Sequence, residues 1–467
     1  MPANRRDEFV PWRELLNRQY GVSLVLVCLG VWLHAADSLI VATMLPSMVD
    51  DIGGVALVSW TVSLYEIGSI VAGASSALLT MRFGLRRPMA GAALLFALGC
   101  GVSAMAPHMW VVLVGRLLQG FGGGGLVAMS FVAVSVIFPK RLMARALAAV
   151  SMLWGVSAFL GPLIGGFFVE VANWRMGFWF FAAQAVLLAG WIVFGAKDSE
   201  KQADKIAGTV PLFRLFLLSA GVVLIAYAGV NIAPLRTALL VIAGLLCLML
   251  FLKVDARQDK NRLLPAAPFD VRKPAGAALS MILALAMATI ALTAYGPLLI
   301  TLIHHASAFT AGYIIACSSI GWTVFAVLVS GFPEKHDGTF IACGMVMVAI
   351  SIVGFLYSVP NGPIWLIAAF ATLEGGGFGM AWTFMIRRTT ALAPPHEVHR
   401  ISAAIPTVQR LGYALGAAYI GIVANATGFQ NDMSVIEAAA SAKVIFLSSL
   451  PFAAIGLFAM TRLVRQP

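Results

Sequence analysis

Charge and sulfur are both scarce in this chain. Only 11% of its 467 residues are Asp, Glu, Lys or Arg, and 31 of these are basic against 20 acidic. So little charge cannot solvate the surface of a soluble multidomain protein of this length, and that class is excluded. The 5 cysteines (Cys28, Cys100, Cys247, Cys317, Cys343) all fall in apolar runs, with no CxxC and none in a loop. Neither a disulfide framework nor a metal site is indicated, and they read as small packing residues. GxSxG, HExxH and GxxxxGK[ST] are also missing. No enzyme, no resident cofactor and no use of ATP are therefore expected.

What is present is apolar. Hydrophobic residues make up 60% of the chain, and the mean hydropathy is +0.92, values that fit an all-α polytopic membrane protein. The first apolar run, 22–45, is longer than a signal-peptide core and lacks a small-residue cleavage site, so it is expected to stay as the first span. A crossing helix needs about 20 apolar residues. Cutting the chain at its polar, Gly and Pro breaks gives fourteen candidates: 21–46, 57–79, 89–106, 109–138, 147–171, 175–195, 211–231, 236–253, 276–303, 309–331, 339–358, 362–386, 401–426 and 442–462. The seventh and eighth are the weakest, because Arg214 and Arg236 crowd their ends.

The net charge of +11 raises the question of nucleic acid, but the basic residues lie in short segments between apolar runs, where topology explains them. With both termini cytoplasmic, only Arg175, Arg236 and Lys443 fall outside and only Arg116 and Arg410 within spans; all other Lys and Arg lie inside. The positive-inside rule supports that orientation. No nucleic acid is expected as a partner.

Two polar segments, 197–211 and 253–274, bracket the seventh and eighth candidates. The expected organisation is a cytoplasmic segment 1–20, a six-helix bundle 21–196, a region 197–274 of linkers with two extra central helices, a second six-helix bundle 275–463 and a tail 464–467. An internal repeat fits this layout. Leu118-Gln119-Gly120-Phe121 precedes Gly122 to Gly125, and Leu373-Glu374 precedes Gly375 to Gly377. The same offset of 255 positions separates Gln119 from Glu374 and Gly161 from Gly416.

Against this apolar background a few polar residues stand out. Asp37, Glu66 and Arg116 sit at similar depths in spans one, two and four. A charge there costs a few kcal/mol on insertion scales, so each is a functional candidate. A cation near two carboxylates favours their ionised forms while desolvation opposes it, as proton exchange requires. A packing ion pair is the alternative reading. His34, one turn before Asp37, titrates in a suitable range, although a lone His is more often a packing residue. Glu374 is the candidate charge contact for substrate. Arg410 faces a cytoplasmic opening or pairs with Glu374. Tyr65, Trp154, Tyr295, Trp322, Phe378 and Trp382 could offer aromatic faces to planar or cationic ligands. The glycine runs permit either close helix approach or a bend.

Several stretches resemble the major facilitator superfamily, in particular its fourteen-span drug:proton antiporter branch. Asp37-Ser-Leu-Ile-Val-Ala-Thr-Met-Leu-Pro46 is similar to that branch's span-one motif. Arg116-Leu-Leu-Gln-Gly120 matches R-x-x-Q-G in span four, and Gly161-Pro162-Leu-Ile-Gly165-Gly166 matches the span-five antiporter motif. Asn173-Trp-Arg-Met-Gly-Phe178 resembles W-R-x-x-F at the start of span six. The resemblance implies a proton role for Arg116, a gating role for Gly161 to Gly166, and export rather than uptake. One departure stands in the loop after span two, where the family carries an Asp and this chain has Met81; Arg82, Gly84 and Arg86 remain. The family's cytoplasmic lock is therefore expected to be weaker or built differently here, and the corresponding loop 331–339 is too degenerate to replace it.

The expected function is proton-coupled export of amphiphilic or cationic small molecules by alternating access. The proton gradient supplies the energy, and the protein works as a monomer in the inner membrane of a bacterium. Uptake of a nutrient such as a vitamin or metal chelate is the first alternative. A non-transporting membrane scaffold or sensor is the second.

Overall fold

A computed structural model describes residues 12–17, 20–195, 210–258, 262–265, 267–329, 332, 334–394, 397–430 and 433–465. Most of the 197–211 linker and the basic residues Arg5, Arg6, Arg18, Lys197, Lys201, Lys205 and Lys260 lie outside the described residues. Among those described the chain is all-helical. Its helices are α1 (Trp12–Leu15), α2 (Gly21–Ile52), α3 (Val58–Phe83), α4 (Arg86–Ala104), α5 (Met109–Ile137), α6 (Lys140–Val171), α7 (Trp174–Gly195), α8 (Leu212–Ala228), α9 (Pro234–Ala256), α10 (Pro274–His304), α11 (Ala308–Val329), α12 (Asp337–Asn361), α13 (Ile364–Ala391), α14 (Val398–Ala426) and α15 (Val435–Val464). In lipid every backbone group must be bonded within the chain, which leaves the helix as the form for such apolar segments.

Twelve of these helices are long and apolar enough to cross a membrane. Of the other two long ones, α8 has 17 residues, and α14 carries Arg400, Gln409 and Arg410. Several helices outrun the expected apolar segments: α6 begins at Lys140 rather than at 147, and α9 continues through Lys253 to Ala256. Lys and Arg are good helix formers whose long stems keep the charge in water. The ends are marked locally. Pro234 and Pro274 begin α9 and α10, and Ser434 and Glu437 form a reciprocal capping box at α15. Gly84 turns the chain between α3 and α4 at φ 75°.

The packing is twofold. α3 with α5, α4 with α5, α4 with α7 and α2 with α6 are matched by α11 with α13, α12 with α13, α12 with α15 and α10 with α14. The first residues of α5 and α13, Met109 and Ile364, are separated by the same 255 positions as the sequence repeat. The repeat reaches individual contacts. A Cβ on Gly120 would lie 2.2 Å from the Tyr65 carbonyl oxygen, and one on Gly375, its equivalent, 1.7 Å from that of Ser318. Close approach is therefore the role these two glycines serve. Gly375→Ala should push α11 from α13 and cost about 1–3 kcal/mol, read as a lower melting temperature in detergent. Gly91→Ala is the control, since nothing lies within 4 Å of a Cβ added there.

The two sets of helices meet along α3 with α14 and along α6 with α11. α8 packs on both α3 and α14, and is fixed to α9 by the buried Arg214–Asp255 ion pair. Asp255 also accepts from the backbone N–H groups of Leu263 and Leu264, at 2.9 and 3.0 Å. Between α2, α6, α10 and α11, a cavity of about 310 Å³ is bordered by Pro46, Asp50, Val169 and Thr301.

Candidate functional site

Asp37, Glu66, Arg116, His34 and Arg410 converge; Asp37 has a partner that was anticipated and Glu66 does not. Asp37 on α2 and Arg116 on α5 form a buried ion pair, 2% and 3% exposed. The same guanidinium donates to Gln119 Oε1 at 2.6 Å and to the Thr61 carbonyl at 3.1 Å, and lies over the Tyr65 ring at 4.3 Å. Gln119 passes the contact on to Ser103 Oγ at 3.3 Å. The Arg-x-x-Gln spacing explains this: residues i and i+3 share a helix face, so Gln119 reaches the guanidinium from the same side.

Glu66 does not pair with Arg116. Its partner is Arg410 of α14, Nη1 to Oε2 at 3.1 Å. Arg410 therefore neither pairs with Glu374 nor stands alone at an opening; it bridges the two sets of helices. Arg410 Nη2 also lies 3.0 Å from His34 Nε2. A guanidinium has no acceptor, so Nε2 accepts and the ring proton sits on Nδ1. Nδ1 then donates to the Tyr65 hydroxyl at 2.7 Å, while that hydroxyl donates to the His34 carbonyl at 3.3 Å. His34 is thus a bonded member of the cluster. Gly123 makes room for it, since a Cβ there would lie 3.0 Å from the Tyr65 hydroxyl and 3.1 Å from Nδ1. One connected line runs from Asp37 through Arg116, Tyr65, His34 and Arg410 to Glu66. It starts and ends in the first repeat, and Arg410 is its member from the second.

Glu374 stands in another position. It is 4% exposed; Ser318 Oγ donates to its Oε2 at 3.4 Å, while its Oε1 has no partner among the described residues. Below it on the parallel helices α11 and α13, Trp322 stacks on Phe378 at 5.7 Å and tilts against Trp382 at 5.4 Å. The six aromatic candidates therefore divide. Trp322, Phe378 and Trp382 stay with Glu374. Tyr65 and Trp154 belong to the His34 cluster, Trp154 edge-on at 5.8 Å and 42% exposed. Tyr295 belongs to neither, because it is fully buried, packs edge-on against Phe429 and sits in a different apolar cluster. The Ser59 hydroxyl is the polar neighbour of its own hydroxyl.

The motif residues lie at seams. Gly161 and Gly165 of α6 face Leu39 and Thr43 of α2, and Gly166 faces Phe309 of α11. Pro162 lies within α6. Thr43 also rests against Gly312, so the Gly161–Gly166 stretch sits where α2, α6 and α11 meet. Arg82 lies over Phe83 at 5.3 Å, and Arg86 Nε donates to the Ile192 carbonyl at 3.2 Å, both within the first repeat. In the matching 331–339 loop, Asp337 is an ion-pair partner of Arg387, and Arg387 also donates to the Phe332 carbonyl at 3.2 Å. That charge ties α12 to α13 within one repeat, not across the two. Trp174 and Arg175 both bond Asp51, at the far end of α2. Asp51, Ser318 and Asp337 escaped the sequence reading, being polar residues near helix ends or one of two adjacent serines in an apolar run, with no local signal of a partner. No group of residues suited to a metal ion is found among the described residues.

Charges paired in the interior of two repeated helix sets fit the class of membrane transporters. Residues 27–417 and 277–467 match the Major Facilitator Superfamily, and the chain belongs to it: an integral membrane protein resembling the family's drug:proton antiporters. A probable multidrug-efflux transporter of Mycobacterium tuberculosis (strain ATCC 25618 / H37Rv) is 31% identical over 425 residues, 89% of each chain. A multidrug efflux pump of Staphylococcus aureus (strain N315) is 23% identical, across 86% of this chain and 89% of its own. Among solved structures, the nucleoside transporter NupG aligns at a TM-score of 0.65 with 13% identity, over 96% of this chain and 100% of that one. A D-xylose-proton symporter aligns at 0.60 with 15% identity, over 93% and 98%. Likeness at that identity concerns the fold.

Proposed function

We propose that the protein is a proton-coupled exporter of amphiphilic or cationic small molecules, acting by alternating access in the cytoplasmic membrane of a bacterium. The observation that carries this reading is the charged line from Asp37 to Glu66, fully buried at Asp37 and Arg116, partly buried at Glu66, and linked across the seam by Arg410. Fourteen spans with cytoplasmic termini, and bundles 21–196 and 275–463 that rock against each other as a monomer, complete the proposal. The efflux names of the relatives favour export over nutrient uptake.

In this scheme the seam between α3 and α14 reads protonation. A proton on Glu66 removes the anion that holds Arg410. A proton on His34 Nε2 puts an N–H where the guanidinium points, and two donors with like charge repel. Either event loosens the contact, which lets the bundles separate there. The Asp37–Arg116 pair stays inside the first bundle and sets the charge that Tyr65 and His34 experience.

The test uses everted vesicles. A pH gradient should drive accumulation of ethidium, nigericin should release it, and Asp37→Asn should abolish the coupling. Undiminished gradient-driven transport in Asp37→Asn sinks the residue assignment. Accumulation only in right-side-out vesicles would favour uptake, and no gradient-driven movement of any compound in either orientation would favour the scaffold.

A further inference from the structure

The two helices between the repeats, α8 and α9, take no part in the charged line, yet α8 lies along the seam which that line crosses. It packs on both α3 and α14. Towards its inner end, Leu217 and Leu218 share an apolar cluster with Ile67 and Ile70 of α3 and with Leu264. Arg214 and the backbone N–H groups of Leu263 and Leu264 all meet Asp255, so this end is fastened to the chain that leads into α10. At the other end Tyr227 meets Trp60 of α3 edge-on at 6.4 Å. Gly229, which closes α8, lies so near α14 that a Cβ on it would be 3.1 Å from the Ile422 Cα.

One side chain joins the three parts there. Asn425, next to the last residue of α14, donates from Nδ2 to the Ala56 carbonyl and to the Gly229 carbonyl, both at 2.9 Å. Ala56 stands in the single helical turn Val55–Leu57 that leads into α3. A backbone carbonyl only accepts, so the amide must turn its NH₂ to this side and use both N–H groups on it. A serine there would bring one donor and an ionised aspartate none. Deeper in the seam Gly421 admits Ser59, whose Oγ would lie 2.1 Å from a Cβ on that glycine. Ser63 Oγ then donates to the Ala414 carbonyl at 3.0 Å, and the Glu66–Arg410 bridge follows. The closed seam therefore ends in a two-way contact, with the first repeat on one N–H and α8 on the other.

We propose that Asn425 is the outer latch of the transport cycle, and that α8 is built into the gate which this latch closes. The inference rests on alternating access in the orientation proposed above, and adds a gating residue and a task for the two extra helices. Anchored to the chain that enters α10, α8 travels with the second bundle. Opening to the outside then breaks the Asn425–Ala56 bond and the contact of Tyr227 with Trp60 together. The Gly229 bond stays, and keeps the amide aimed at Ala56, so that the latch re-forms with little loss of side-chain freedom. Contacts present only while the outer ends are shut favour the state that takes up substrate from the cytoplasm.

Labelling from outside tests the latch. Ser63 is 1% exposed, and Ser63→Cys places a thiol in the seam beneath Asn425. A membrane-impermeant maleimide applied to intact cells reaches that thiol only when the outer ends part; rates are taken above those of the protein with its native cysteines alone. Asn425→Ala should raise the labelling rate about tenfold, the effect of losing two hydrogen bonds of ordinary net strength. Asn425→Ser, with one donor, should raise it less, and Asn425→Asp at least as much as alanine. Gly229→Val should raise it too, because the new side chain lifts the end of α8 from Ile422, while Gly91→Ala, in open space, should not. An unchanged rate in Asn425→Ala overturns the latch, and a rise there with none in Gly229→Val overturns the part given to α8. Ethidium accumulation in everted vesicles separates the two levels. If it is seen in the wild type while labelling ignores Asn425, only the latch falls; if it is absent although labelling responds to Asn425, the exporter reading falls and the gate stands.

Discussion

Arg116→Ala is expected to destabilise the protein by about 3–5 kcal/mol, the usual consequence of removing one partner of a buried ion pair. Asp37 and Arg116 are both nearly inaccessible, and the truncated side chain leaves a buried carboxylate with no cation. Gln119 and the Thr61 carbonyl lose their donor at the same time. Asp37→Asn should cost less, because Arg116 keeps those two neutral acceptors. The double variant Asp37→Asn with Arg116→Gln removes both charges and keeps the volume, so it should recover much of the stability without recovering transport. Thermal unfolding in detergent, followed by fluorescence, reads the first part and vesicle transport the second. An Arg116→Ala protein that melts with the wild type would show that the pair is solvated in the functional molecule.

The second large effect is expected at the seam. Glu66→Gln and Arg410→Gln should each lower gradient-driven transport at least tenfold, a rise of about 1.4 kcal/mol or more in the barrier, while the protein still purifies in folded form. Both side chains are partly exposed, so neither variant strands a fully buried charge. Exchanging the two charges, Glu66→Arg with Arg410→Glu, should restore part of the activity, since the new carboxylate can accept from His34 once the ring proton moves to Nε2. The interaction term of that double-mutant cycle measures the contact across the seam. Single variants that transport at the wild-type rate would reduce the Glu66–Arg410 bridge to a packing contact.

Much of the scaffold was legible because it follows from local rules. Apolar runs of the right length became helices, since within a membrane one continuous apolar run can bond its whole backbone by itself only as a helix. The 255-residue offset carried through to helix starts and to the equivalent approaches of Gly120 and Gly375. Arg116 and Gln119 were legible as a unit only through the motif that resembles the family's R-x-x-Q-G. The aromatic candidates were less so: an apolar helix has little amphipathic contrast, so the sequence does not say which way Tyr295 or Trp154 faces.

By itself, the sequence determined that this chain is helical and membrane-embedded, that it is repeated, and that Asp37, Glu66, Arg116, Glu374 and Arg410 are its improbable charges. Only the tertiary structure decided how those charges are matched. Asp37 and Arg116 are 79 positions apart, and Glu66 and Arg410 are 344 apart, on helices whose rotation about their own axes is fixed by packing against neighbours. That packing gave two carboxylates a guanidinium and left Glu374 without one. Coulomb interaction falls off over a few ångströms in a screened environment and depends steeply on burial, so partner choice is settled by how helices pack and not by the order of residues along the chain.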